Sequence, residues 1–154
     1  MNCPICSWTP ESTEYPLVCE TDHWIVKLAP NQCLLGRCVV CSRRHVGSLA
    51  ELAHAEMSKF HELIRRIEPA LMQSFGAAMF NWSCYMNHSY REVPPDPHVH
   101  WWVVPRYDHA VQFSAITFHD PHFGSPYDHD GWQVVSCEMK MMIVDEIRRS
   151  MTTG

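Results

Sequence analysis

Hydrophobic positions along this chain fall into two patterns, short β-rich runs and longer stripes at helical spacing. Leu17 to Glu20, Trp24 to Leu28 and Arg37 to Arg43 are short runs rich in Val, Ile, Cys and Trp, side chains that pack well on a pleated surface. Thr21-Asp22 between the first two predicts a hairpin. Gly47-Ser48-Leu49-Ala50-Glu51 reads as a capping box, with Ser48 bonding forward and Glu51 bonding back. Leu52, Met57, Phe60, Ile64, Ile67 and Leu71 follow at helical spacing and predict one long helix. Pro69 removes a backbone hydrogen bond within that stripe, which predicts a kink or a restart.

Ala77 to Met86 and Val99 to Arg106 return to strand-like composition, and the proline-rich stretch from Tyr90 to Pro97 between them is too stiff for a sheet interior and predicts a loop. A last helix is expected from about Trp132 to Arg149, capped near Asp130, with Val135, Met139, Met142, Ile143 and Ile147 on its buried face. Residues 1 to 15 carry two prolines and a Cys-x-x-Cys without a steady period, an irregular arm that something must fix. The elements together predict an α+β domain, with no internal repeat and no low-complexity tract.

Composition narrows the setting. With 154 residues, 46% of them hydrophobic, the chain is long enough for one sizeable core and short for two, so a single domain is expected over residues 1–154. A formal charge of -5 gives no general attraction for nucleic acid or an anionic membrane, so an anionic ligand would need a local site. No apolar run reaches the roughly 18 to 20 residues of a membrane span, and the first residues lack a signal-peptide pattern. A soluble, cytoplasmic protein is expected, and its eight cysteines then suit thiols or metal ligands better than disulfides.

Candidate chemistry concentrates in His98-Val99-His100-Trp101-Trp102 and its neighbours. In a strand, His98, His100 and Trp102 share one face, about 7 Å apart, while Val99, Trp101 and Val103 share the other. Cys3-x-x-Cys6 supplies two corners of a zinc tetrahedron and needs two more ligands, for which His45 and His98 are available. Three other arrangements compete. A ribbon could use Cys3, Cys6, Cys38 and Cys41, although an offset of three along a strand sends the last two sulfurs to opposite faces. His98 and His100 could share a catalytic zinc, and Cys3 and Cys6 could form a disulfide. Cys19, Cys33, Cys84 and Cys137 have no motif context and read as small apolar side chains. The stretch from His119 to Gly124, with Asp128-His129-Asp130, reads as turn material in a loop over 118–130.

The histidine strand resembles the signature of the histidine-triad (HIT) superfamily, His-φ-His-φ-His-φ-φ with φ apolar, commonly followed by Pro-Arg-Tyr as at Pro105-Arg106-Tyr107. Two of the three histidines are present. The resemblance extends to the initial Cys-x-x-Cys, the hairpin strands, Gly36 opening the strand that ends at His45, the long helix, and Asn87 ahead of the histidine strand. It implies a five-stranded antiparallel sheet with two main helices, a homodimer, and a structural Zn2+ held by Cys3, Cys6, His45 and His98, as in zinc-binding bacterial members.

The resemblance further implies that His100 attacks the α-phosphorus of a nucleotide, forming a nucleotidyl-histidine that water resolves, with a backbone carbonyl orienting the ring. Asn87 and Trp102 become substrate contacts. Trp102 stands where the third histidine lies beside the phosphates, and an indole donates one hydrogen bond but carries no proton through a cycle. Ala29 stands where many members have an acid for the ribose, and Pro94-Pro95 replace a Gln-Ser or Gln-Thr. The expected function is hydrolysis or nucleotidyl transfer at the α-phosphate of a nucleoside phosphate or dinucleoside polyphosphate. The competing expectation is a zinc-stabilised nucleotide-binding protein with little turnover.

Overall fold

A computed structural model describes residues 3–9, 11–127 and 131–152. Thr21 closes the first hairpin, between β1 (Leu17–Glu20) and β2 (Trp24–Leu28). Its Oγ1 accepts the N–H groups of His23 and Trp24 at 3.3 and 3.0 Å, and its own N–H donates to the Trp24 carbonyl. Strands β3 (Cys38–Ser42), β4 (Met79–Ser83) and β5 (His100–Arg106) complete an antiparallel sheet of order β1-β2-β3-β5-β4. β1 and β2 have the bounds expected from sequence, and β3, β4 and β5 lie within theirs.

Helices α1 (His54–Phe75) and α2 (Cys137–Thr152) differ from expectation at their starts. Ser48 does act as a cap, but for a separate 3-10 turn, Leu49–Glu51, after which Leu52 and Ala53 are extended. The return arm of the cap comes from Glu56, whose carboxylate accepts the Ala53 N–H at 2.7 Å and holds the Arg44 guanidinium at 2.8 Å. Pro69 neither ends nor restarts α1. It lies on the exposed side, where water can satisfy the carbonyl it leaves, while Phe60, Leu63, Ile67, Ala70, Leu71 and Phe75 keep one buried stripe across it. Met57 and Met142, both expected inside, are exposed.

The second helix starts at Cys137, five residues later than expected. Ser136 caps it, its Oγ accepting the Met139 N–H, and the preceding segment is held in extended form by Asn31, which bonds Gly131 and Gln133. The expected cap Asp130 lies outside the described residues. A two-stranded ribbon, β6 (Val111–Phe113) and β7 (Ile116–Phe118), was not foreseen, because three-residue strands joined by Ser114 at φ 53° carry too little pattern to read.

The two faces of the sheet are covered differently. Trp24, Val26, Leu28, Val40 and Val103 pack with Phe60, Leu63, Ile67, Ile143 and Ile147 into one buried cluster beneath both helices, and each such side chain contributes roughly 1.5–3 kcal/mol on burial. On the other face the register aligns Lys27 with Val39 and Trp102, and Cys41 with His100. Among the described residues no helix covers that side. Instead the N-terminal arm crosses it, Lys27 Nζ donating to the Thr9 carbonyl at 2.7 Å, and residues 119–127 dock at the other end of β5. No helix among the described residues is long and apolar enough to cross a membrane.

Candidate active site and metal cluster

Antiparallel pairing sets the positions of the histidines. His98 precedes β5 and is buried beside the end of β3, where its Nε2 meets the Ser42 carbonyl at 2.7 Å. That bond assigns the ring proton to Nε2 and turns the Nδ1 lone pair toward Cys3 Sγ at 3.3 Å and Cys6 Sγ at 3.4 Å. His45, beyond β3, places Nδ1 3.2 Å from Cys6 Sγ and Nε2 2.9 Å from Asp96. All four ligand atoms, from Cys3, Cys6, His45 and His98, lie within 4.8 Å of one another.

That donor set fits a tetrahedral zinc ion. Ligand bonds of about 2.0–2.3 Å around a tetrahedron give edges of about 3.3–3.8 Å, close to the 3.2–3.4 Å between the imidazole nitrogens and the sulfurs, and each imidazole is held from behind by an oxygen acceptor, the usual support for a metal-ligating histidine. Burial pulls the His98 pKa below its ordinary value, which favours the neutral, ligating form. Burial, together with the adjacent Cys3 thiol, pushes Cys6 up to about 11.

The competing cysteine arrangements fail on geometry. Cys38 pairs with Val103 and Cys41 with His100, so their side chains lie on opposite faces, and Cys38 is buried in the core with its thiol against the Gly36 carbonyl. Burial pushes both thiols far above the usual range. Cys3 and Cys6 are free thiols. A zinc shared by His98 and His100 is also unsupported, because the His98 lone pair is turned to the sulfurs.

His100 is oriented from its own strand. Its Nδ1 donates to the His98 carbonyl at 2.8 Å, which leaves Nε2 with the lone pair. Trp102 follows on the same face, its ring edge-on to His100 at 6.2 Å between centroids. Arg37, which sequence reading did not single out as a site residue, lays its guanidinium 4.6 Å over the Trp102 ring and 6.0 Å from Tyr127. The turn that delivers it is tightly built: buried Gln32 donates to the Ala29 and Arg37 carbonyls and accepts the Gly36 N–H at 2.9 Å. Gly36 has φ +81°, and a Cβ there would meet Leu71 at 2.9 Å, so only glycine fits.

Asn87 opens a 3-10 turn after β4, and its side chain is exposed. Ala29 is buried, with its backbone paired to Arg37. Asp120, read from sequence as turn material, is a buried ion-pair partner: Arg106, the arginine of Pro-Arg-Tyr, meets its carboxylate at 2.6 and 3.0 Å. Burial raises the Asp120 pKa, but the Arg106 guanidinium and the Tyr107 N–H outweigh it and hold the carboxyl below the ordinary value. His129 and its two flanking aspartates lie outside the described residues.

No protein-family model matches the chain, and no curated protein resembles it in sequence closely enough to match. Solved structures do match in fold. A hypothetical histidine triad nucleotide-binding protein from Sulfolobus tokodaii strain7 superposes with a TM-score of 0.73 at 15% identity, over 98% of this chain and 93% of that one. A Zn-bound histidine triad family protein from Mycobacterium smegmatis gives 0.57 at 16% identity, over 89% and 84%. Diadenosine triphosphate hydrolase from Plasmodium falciparum gives 0.65 at 12% identity, over 96% and 82%. The antiparallel five-stranded sheet with its two helices is therefore the fold of the histidine triad proteins.

Proposed function

We propose that this chain is a nucleotide hydrolase or nucleotidyl transferase whose nucleophile is His100. The observation that carries the reading is the Nδ1 bond to the His98 carbonyl, which keeps a proton on Nδ1 and directs Nε2 away from the backbone. In this reading Nε2 attacks the α-phosphorus of a nucleoside phosphate or dinucleoside polyphosphate. The bond from phosphorus to the leaving oxygen breaks and its electron pair departs with that oxygen. Water, or a phosphate-bearing acceptor, then attacks the same phosphorus, the P–N bond returns its pair to Nε2, and the proton of the attacking oxygen passes to solvent. Nδ1 keeps its proton throughout. Asn87 and Trp102 are proposed substrate contacts, and diadenosine triphosphate is the first substrate to test, since a fold neighbour is a diadenosine triphosphate hydrolase.

Cys3, Cys6, His45 and His98 are proposed to hold a structural Zn2+, a reading supported by their convergence and by the Zn-bound fold neighbour. When bound, the ion would supply four coordinate bonds that tie the N-terminal arm to the end of β3 and the start of β5, the strand that carries His100. His98 contributes twice, its ring to the metal and its carbonyl to His100. A homodimer of one-domain subunits in the cytoplasm completes the proposal, its reducing setting supported by eight free thiols.

The second reading is a zinc-stabilised nucleotide-binding protein with little turnover, favoured by Trp102 and Ala29 in place of proton-carrying and ribose-binding side chains. Incubation with diadenosine triphosphate divides the two. Mononucleotide release by the unsubstituted protein, reduced at least about a thousandfold in His100→Ala, supports the nucleophile. Binding without release by the unsubstituted protein supports the binding module.

A further inference from the structure

Arg37 is a half-buried cation without a counter-charge among the described residues. Among the described residues its guanidinium makes no hydrogen bond or ion pair; its contacts are the faces of Trp102 and Tyr127, and its Nε is fully buried without a partner. The Ser83 hydroxyl, on the residue paired with Trp102, is likewise buried and unpartnered. A half-buried guanidinium stacked on indole while its N–H groups go unused is costly, unless an anion completes it. The residue is not loosely placed, since Gln32 and Gly36 fix its backbone. Tyr127, whose ring centroid lies 6.0 Å from the Arg37 guanidinium, also lines a cleft of about 400 Å³ with Cys33, His119, His122 and Trp132.

We infer that Arg37, with Trp102 as its platform, binds the phosphates beyond the α-phosphate, the half of the substrate that leaves. The inference rests on the proposed reading of His100 as the residue facing the α-phosphorus. It also gives Trp102 a purpose. Where the P–O bond breaks, the electron pair goes to the bridging oxygen, and Arg37 meets that charge with a fixed cation, so a phosphate leaving group departs without needing a proton. The site therefore takes polyphosphate-linked nucleotides in preference to those whose leaving group is an amine or alcohol.

Equilibrium binding tests this independently of turnover. The zinc-loaded protein is titrated with a methylene-bridged, non-cleavable analogue of diadenosine triphosphate and, separately, with AMP, which has only the α-phosphate. Arg37→Gln should weaken the analogue by about tenfold to a hundredfold, the size of a lost charge-assisted contact, and leave AMP within about threefold. Arg37→Lys, which keeps the charge but not the planar fork, should fall between. The inference is overturned if Arg37→Gln or Arg37→Lys binds the analogue as the unsubstituted protein does, if AMP is weakened as much as the analogue, or if the unsubstituted protein binds the analogue no better than AMP. Failure of the His100 reading registers elsewhere, as binding without cleavage of the native dinucleotide.

Discussion

Arg106 and Arg37 sit on the same side of one sheet, and their surroundings are opposite. Arg106, the last residue of β5, is fully buried and fully satisfied: two oxygens of Asp120, the Asn81 side chain and the carbonyls of His122 and Ser125 take its N–H groups. Arg37 is half-buried and faces aromatic rings, and among the described residues its guanidinium finds no hydrogen-bond partner, its Nε being buried without one. A buried charge with a complete set of partners is part of the scaffold, whereas one without them is held ready for something that arrives from solution. The Pro-Arg-Tyr arginine therefore anchors the loop over residues 119–125, and the arginine before β3 belongs to the site.

Removing partners should separate these roles most strongly at Arg106. Asp120→Ala leaves that guanidinium buried and uncompensated, and should cost about 3–5 kcal/mol, read as a lower urea midpoint at unchanged m. The pH dependence has a definite sign. The Asp120 carboxyl is held below its unfolded value of about 3.9, so its stabilisation is complete above that value and is lost as pH falls through the lower, folded one. Acid unfolding followed by fluorescence should show a shallower acid limb in Asp120→Asn. An unchanged limb would mean that the pair does not control acid stability.

The metal cluster ranks next. Chelation should lower the melting temperature, by the equivalent of about 2.7 kcal/mol when free zinc is kept at a hundred times its Kd beforehand. Cys3→Ser should abolish that sensitivity and empty the protein of zinc by elemental analysis, while His100→Ala should retain both the metal and the stability. Smallest is Arg37→Gln, which removes only the stacking on Trp102 and should stay within about 1 kcal/mol of the parent in the same urea experiment. A loss comparable to that of Asp120→Ala would erase the contrast between the two arginines.

How much of this was legible depended on whether a feature is local. The five strands and the buried stripes of both helices follow from side-chain period, and the sharing of one face by His98, His100 and Trp102 follows from strand geometry. Helix starts were less legible, because Ser48-x-x-Glu51 satisfies the capping rule in a 3-10 turn while the cap that opens α1 is set by Glu56 through a distant Arg44. The start of α2 depended on Asn31, more than a hundred residues earlier. Arg37 and Asp120 were missed for the same reason. Arg37 became visible only when β3 was laid beside β5, and Asp120 only when its loop was folded back onto Arg106. The one local hint was an arginine placed at the opening of a β-branched strand, where a cation needs a reason to be.

The central claim, that His100 Nε2 attacks phosphorus, is tested most directly by rapid acid-free quenching of the protein with diadenosine triphosphate, followed by peptide mass spectrometry. An adenylyl group is expected on the peptide containing residues 98–106, localised to His100, formed within the first turnover and absent from His100→Ala. Product formation with no adduct on His100 at any quench time, or an unchanged rate in His100→Ala, would contradict it.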